Sequence, residues 1–176
     1  MKIGFNEATA LECRGQSLMA DLEMCEKYGF DYIEIRFDCL KEYLKEHTLE
    51  ELAEWFDSHH LKPWAYNTLL YFNQRDEVGK QEVDEEVEFI LKVSKAIGLK
   101  MLITVPTFGV KDKTVPEIRE EAVERLRYLS HKVGKDMRIS LEFCGAPDCS
   151  INQFGTAYDI VKEVDRDNVG ITLDTF

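Results

Sequence analysis

The sequence has little basic charge for its length. Lys and Arg number 22 against 34 Asp and Glu, so the 176-residue chain has a formal net charge of -12. Phosphate backbones and anionic membrane surfaces attract proteins through clustered Lys and Arg. The composition therefore predicts neither a nucleic acid nor a membrane as a partner, and it places the acidic side chains on solvated helix faces.

Long hydrophobic runs and a disulfide pattern are also missing. No segment approaches the roughly 18 consecutive apolar residues of a membrane span, and the N-terminus lacks the apolar core of a signal peptide. The five cysteines are an odd number without a repeated spacing, which fits neither a disulfide framework nor a zinc site. We expect reduced thiols in a cytoplasmic protein.

Strand-like and helix-like segments alternate along the whole chain. Six segments have the short, β-branched or alternating pattern of strands, and about five helices are predicted between them. Strict β-α alternation predicts a parallel sheet, and no linker divides residues 1–176 into more than one domain. The predicted strands are KIGFN (2–6), YIEIR (32–36), KPWAYNTL (62–69), MLITVPT (101–107), RISLEFC (138–144) and VGITLDTF (169–176).

Helix starts are marked by capping residues. Thr48 with Glu51, and Thr114 with Glu117, form T-x-x-E capping boxes, in which each side chain bonds the other residue's backbone N–H. Ser17 and Asn152 are predicted to cap two further helices.

Two architectures fit this alternation, an open doubly wound sheet and part of a (β/α)8 barrel. The glycine-rich loop that a nucleotide-binding open sheet carries after its first strand is absent, so no nucleotide cofactor is predicted. Polar and apolar residues alternate in the strands, as in Glu34 and Arg36 against Ile33 and Ile35, whereas strands covered on both faces are apolar throughout. The pattern favours the barrel.

Polar residues lie near the C-terminal ends of the predicted strands, where barrel enzymes place their active sites. Two of them, Glu142 and Asp174, are expected at equivalent heights on neighbouring strands. Carboxylates held close repel unless a proton or cation lies between them, so the spacing leaves open a metal site or separate pairing with Arg36 or helix ends. The six candidate residues are Asn6, Glu34, Arg36, Asn67, Glu142 and Asp174.

Histidine does not complete a metal site in this sequence. All four histidines lie before or at the ends of predicted helices, and a histidine near a helix C-terminus is favoured by the helix dipole. Cys144 lies two residues after Glu142, but no histidine at a strand end is available to activate it as a nucleophile. We interpret Cys144 as a small buried side chain.

The segments FNEAT, EKYGFDYIEIR, LEFCGAPDCSIN and RDNVGITLDTF resemble the sugar-isomerase/epimerase superfamily of xylose-isomerase-like TIM barrels. Within the superfamily, the resemblance is strongest to isomerases of an inosose, 2-keto-myo-inositol. It implies a divalent cation (Mn, Zn, Co or Mg) held by two Glu, an Asp and a His, of which Glu142 and Asp174 would be two. It also implies that Glu142 moves a proton through an enediolate, with Glu34 and Asn67 near the substrate. We expect Asn6 and Arg36 to bind the substrate as well.

The resemblance leaves several functions open. The expected function is metal-dependent isomerisation of an inosose or a similar ketose; another sugar epimerase or a hydroxypyruvate-type isomerase is the nearest alternative. A DNA-repair endonuclease of the same superfamily is disfavoured by the net charge of -12. The family pattern continues past Phe176 with the His and second Glu ligands, so we expect a truncated barrel. Its free sheet edges predict a homo-oligomer, or an inactive fragment that self-associates.

Overall fold

Six strands and six α helices make up the part of the chain that this computed structural model describes, residues 1–10, 13 and 16–174. The strands are β1 (Gly4–Asn6), β2 (Tyr32–Arg36), β3 (Lys62–Leu70), β4 (Met101–Val105), β5 (Arg138–Glu142) and β6 (Val169–Thr172). The helices are α1 (Leu18–Lys27), α2 (Phe37–Tyr43), α3 (Leu49–Ser58), α4 (Glu77–Ile97), α5 (Val115–Val133) and α6 (Phe154–Val164). A single 3-10 turn, Glu7–Ala10, follows β1.

The capping residues begin three helices as predicted. The Ser17 side chain accepts a hydrogen bond from the backbone N–H of Ala20 at the start of α1. Both capping boxes are present in full, Thr48 with Glu51 before α3 and Thr114 with Glu117 before α5. These local bonds satisfy N–H groups that have no partner inside the helix.

Two helix predictions were wrong. Helix α2 was not predicted; it begins directly after β2, and its N-cap residue, Arg36, makes no side-chain capping bond that a sequence pattern could reveal. Asn152 does not cap α6, because the N-cap position is Gln153. The Asn152 amide instead donates to the backbone carbonyls of Ala146 and Pro147, at 3.4 and 3.5 Å.

The chain forms two compact units, and the division falls within β3 and α4. The first unit comprises Met1–Asn67 and Ile90–Lys100. Its strands β1, β2 and β3 pair in parallel in sequence order, and helices α1 and α2 contact β2. Its core consists of apolar side chains that each gain about 2 kcal/mol from burial: Leu18, Leu22, Ile33, Ile35, Leu40, Leu52 and Phe56.

The second unit comprises Thr68–Phe89 and the chain from Met101 onward. Strands β4, β5 and β6 pair in parallel, again in sequence order, so the predicted parallel pairing is confirmed within each unit. Helix α5 contacts both β5 and α6. Arg119 of α5 pairs with Glu163 of α6 at 2.7 Å, and Arg125 pairs with Asp84 of α4 at 3.2 Å.

Among the described residues, no helix combines the length and the apolar content that crossing a lipid bilayer requires.

Candidate metal and substrate site

Three of the predicted substrate-binding residues lie together in the first unit. The ends of β1, β2 and β3 bring the Asn67 amide Nδ2 to 3.4 Å from Asn6 Oδ1 and 3.3 Å from Glu34 Oε2. All three side chains are half-buried, and the bonds are long for N–H···O geometry. This group, which we call the strand-end amide cluster, presents carboxylate and amide oxygens of the type that bind hydroxyl groups.

Arg36, the fourth predicted substrate-binding residue, has other neighbours. Its guanidinium pairs with Asp38 and lines a cavity of about 640 Å³ at the starts of α1 and α2. Its backbone N–H donates to Glu7 Oε2 at 2.6 Å. Asp38 is a partner of Arg36 that the sequence interpretation had not considered. The alternative that Arg36 pairs with a strand-end carboxylate stays a prediction.

Sequence reasoning missed Glu7. The residue directly follows the Asn6 strand end, and its carboxyl group is fully buried. The pKa of Glu7 is raised to about 8: desolvation is the largest cause, the N–H of Arg36 opposes it, and the neighbouring Asp21 adds to it. Gln16 bonds both the Glu7 carbonyl, at 3.0 Å, and Asp21, at 3.4 Å. The sequence feature that could have indicated a buried Glu7 is its position among the small residues of FNEATA.

Glu142 and Asp174, the predicted metal ligands, both belong to the second unit. Glu142 is the last residue of β5 and is half-buried, whereas Asp174 lies two residues beyond the end of β6 and is exposed. The backbone register places Thr172, two residues before Asp174, opposite Glu142. One pleat earlier, the hydroxyl groups of Ser140 and Thr172 are hydrogen bonded at 2.6 Å.

Both carboxylates affect the pKa of the Cys144 thiol. Burial first, and then the neighbouring Cys149 thiol and the negative charges of Glu142 and Asp174, raise the pKa of Cys144 to about 11. The charges of both carboxylates therefore contribute to the surroundings of one thiol. The thiol form that this pKa favours is a weak nucleophile, but Cys144 is half-buried and not buried as predicted.

Glu142 and Asp174 can supply only part of the ligand set of a metal ion. Within residues 1–10, 13 and 16–174, no three His, Cys, Asp or Glu side chains are grouped so as to hold a metal ion. Oxygen donors suit hard divalent cations, but a complete protein site usually has three or four ligands. The prediction that all six candidate residues form one ring stays a prediction.

Comparison with known proteins gives consistent matches over the whole chain. The family model described as "Xylose isomerase-like TIM barrel" matches residues 22–176. The inosose isomerases of Bacillus velezensis FZB42 and Bacillus subtilis 168 are 46% and 47% identical to this chain, over 100% of it and 63% of their own length. The chain therefore spans less than two thirds of the length of these curated relatives.

A solved structure agrees with these sequence matches. The 1.8 Å crystal structure of the IolI protein with a bound zinc atom is 46% identical and superimposes with a TM-score of 0.95. It is matched over 100% of this chain and 63% of its own. The predicted fold class, a (β/α)8 TIM-barrel type with six parallel strands in this chain, is confirmed, and the chain belongs to the xylose-isomerase-like TIM-barrel family.

Proposed function

We propose that this chain contributes Glu142 and Asp174 to the divalent-cation site of an isomerase that acts on an inosose or a similar polyol ketone. The observation that carries the proposal is the 46–47% identity to inosose isomerases over the whole chain. The positions of the two carboxylates support it, because Glu142 ends β5 and Asp174 follows the neighbouring strand β6.

The residues present fit a divalent cation in part. Glu142 and Asp174 supply two oxygen ligands, which are compatible with Mn, Zn, Co or Mg. A bound cation would polarise a ketone carbonyl as a Lewis acid. The IolI protein is the relative for which a zinc atom has been seen, and for the present chain the choice of metal is left to titration.

Glu142 is proposed as the acid/base residue. At the end of β5 it is half-buried and keeps access to the strand ends. There it would take a proton from the hydroxyl-bearing carbon beside the ketone and return it to the former carbonyl carbon of the enediolate, while the hydroxyl proton passes to the former carbonyl oxygen. The strand-end amide cluster and Arg36 are proposed to bind substrate hydroxyl groups. Other sugar epimerases and a hydroxypyruvate-type isomerase would use the same residues, so a panel of ketose substrates distinguishes them.

The first experiment is calorimetric titration of residues 1–176 with Mn²⁺, together with an inosose isomerisation assay. Glu142→Gln and Asp174→Asn are expected to abolish the binding heat, and Glu142→Gln to lower any isomerisation at least about 1000-fold. Glu120→Gln is the matched control, since Glu120 is an exposed residue of α5. Equal Mn²⁺ binding by all four proteins, or full activity of Glu142→Gln, would refute the assignment.

A second candidate is self-association without catalysis. Within the second unit, β6 pairs with β5, all four β6 residues are half-exposed, and the following Leu173 is 63% exposed. Such an edge can pair with another chain. Sedimentation velocity at increasing concentration tests this, with Leu173→Glu expected to shift the distribution towards monomer. A wild-type chain that stays monomeric throughout would remove this candidate.

A further inference from the structure

An aromatic cavity in the second unit has no role in the site described above. Its volume is about 450 Å³, and Tyr71 and Phe108 form one side of it, with their ring centroids 6.2 Å apart in an edge-to-face arrangement. Tyr71 is 39% exposed. Cavities that combine aromatic walls with a few placed polar groups are the usual form of small-molecule sites. The polar side chains that complete the lining are Gln74, Arg75, Asp76 and Thr107.

The backbone beside this cavity is strained. Tyr71 and Gln74 have φ values of 56° and 54°, in the left-handed region where a side chain of this size is uncommon. This conformation is disfavoured for residues with a side chain relative to glycine. Backbone strain of this kind concentrates at binding sites, and here it sets the Tyr71 ring on the cavity wall.

A buried asparagine fixes the loops that form the cavity. Asn73 has no exposed surface; its Oδ1 accepts from the Thr107 N–H at 2.9 Å, and its Nδ2 donates to Ser150 Oγ at 3.3 Å. The Ser150 N–H in turn donates to the Thr107 carbonyl at 2.9 Å. These hydrogen bonds join the segments that follow β3, β4 and β5. They therefore fix the positions of the loops that contain Tyr71 and Phe108.

The loop that contains Phe108 also contacts the segment that follows Glu142, one of the proposed metal ligands. Phe108 forms an isolated antiparallel bridge with Cys149, and Cys149 lies in the segment that follows β5, whose last residue is Glu142. The aromatic cavity and Glu142 thus lie on connected segments within the second unit.

The polar lining is already oriented by contacts within the chain. Asp76 Oδ1 accepts from the Gly79 N–H at 2.8 Å, and the Arg75 guanidinium pairs with Glu82 at 2.8 Å. The Gln74 amide donates to Glu121 at 3.1 Å. Amide, carboxylate and guanidinium groups at the edge of an aromatic surface suit a ring that has hydroxyl groups around its rim and C–H bonds on its face.

We propose that the aromatic cavity is a specificity subsite for a polyhydroxylated ring, in which the ring's C–H face packs on Tyr71 and Phe108. The subsite rests on the proposed function, because it would hold the part of a cyclic polyol ketone that does not react. It assigns to Tyr71 and Phe108 a role in choosing cyclic over open-chain substrates.

The test uses myo-inositol, a cyclic polyol without a carbonyl group, as the probe. In saturation-transfer NMR with residues 1–176, we expect transfer to the ring C–H protons and a measurable Kd. Tyr71→Leu and Phe108→Leu are each expected to weaken binding about tenfold, since an aromatic contact of this type contributes roughly 1 kcal/mol or more. Tyr71→Phe keeps the ring and should bind within twofold of wild type.

Tyr28→Leu is the matched control, since Tyr28 is an exposed aromatic residue at the end of α1 in the first unit. Thermal unfolding of each variant shows that a loss of binding does not reflect a loss of fold, and Phe108→Leu serves if Tyr71→Leu does not fold. Absence of transfer in wild type, or unchanged binding in both leucine variants, overturns the subsite.

The subsite and the isomerase proposal fail in different ways. Isomerisation with an unchanged KM for the cyclic substrate in Tyr71→Leu would remove the subsite and leave the proposed function. Lack of isomerisation by wild type, together with weaker myo-inositol binding in Tyr71→Leu, would remove the isomerase assignment for this chain and support a cyclic-polyol binding site.

Discussion

The two units use acidic side chains in opposite ways. In the first unit, Glu7 is fully buried and Asp21 is nearly so, and Asp21 lies close enough to raise the pKa of Glu7. In the second unit, Glu142 is half-buried and Asp174 exposed, and the charges of both raise the pKa of Cys144. A carboxyl group sealed in the interior favours its neutral form, whereas one that keeps access to water remains able to bind a cation. Burial separates a structural acid from a candidate ligand.

The largest predicted effect concerns the buried pair. Desolvation raises the pKa of Glu7 from 4.5 to about 8, so the folded state retains a proton that the unfolded chain loses. Stability from this group is full below pH 4.5 and is lost as the pH rises to 8. Glu7→Gln cannot ionise and can still accept from Arg36 N–H. It should therefore be more stable than wild type at pH 8.5, by up to about 4 kcal/mol.

Urea unfolding of wild type and Glu7→Gln at pH 4.5, 6.5 and 8.5 measures this difference. The gap should be small at the lowest pH and widen at each step. Glu23→Gln is the control, because Glu23 is an exposed residue of the same unit on α1. A gap that does not change with pH would mean that Glu7 is ionised in the folded protein.

The second unit contains a polar side chain, Asn73, that is as fully buried as Glu7. Unlike Glu7, Asn73 cannot ionise. Asn73→Ala removes the acceptor of the Thr107 N–H and the donor to Ser150 Oγ. Leaving buried polar groups without partners should cost about 2 to 3 kcal/mol, independently of pH.

Asn152→Ala is the comparison for this loss, because the Asn152 amide makes only long bonds, at 3.4 and 3.5 Å. It should cost less than about 1 kcal/mol in the same urea titration. Equal costs for the two variants would show that Asn73 does not secure the loops after β3 and β4.

Features encoded by short sequence spacing could be predicted. The capping boxes at Thr48 and Thr114 depend on residues three positions apart, and both are present. Glu7 could not be recognised in this way, because its burial depends on the N–H of Arg36, which is 29 residues distant. Helix α2 escaped prediction for a related reason, since its start has no capping side chain.

The candidate site shows the same limit. Strand alternation predicted Asn6, Glu34 and Asn67 as one group, and the structure brings these side chains together. The alternation could not give the stagger between β5 and β6, which places Thr172 rather than Asp174 opposite Glu142. Stagger depends on how whole strands pack, so a pattern within each strand does not contain it.

The smallest predicted effect tests whether residues 1–176 unfold as the single domain that the sequence predicts. Thr48→Ala and Thr114→Ala each remove one capping box, in the first and the second unit respectively. Each should cost about 1 kcal/mol, or roughly 0.5 M in the urea midpoint. Both tryptophans of the chain, Trp55 and Trp64, lie in the first unit, so their fluorescence reports that unit alone.

If the chain unfolds cooperatively, the tryptophan fluorescence responds equally to both substitutions. A loss of stability in either unit then destabilises the whole chain. Thr114→Ala should therefore shift the tryptophan transition as far as Thr48→Ala does, and the far-UV circular dichroism transition should coincide with it. A Thr114→Ala variant whose circular dichroism midpoint moves while its fluorescence midpoint does not would show that the units unfold separately. The buried acid pair and the open carboxylates would then belong to independently stable parts of the chain.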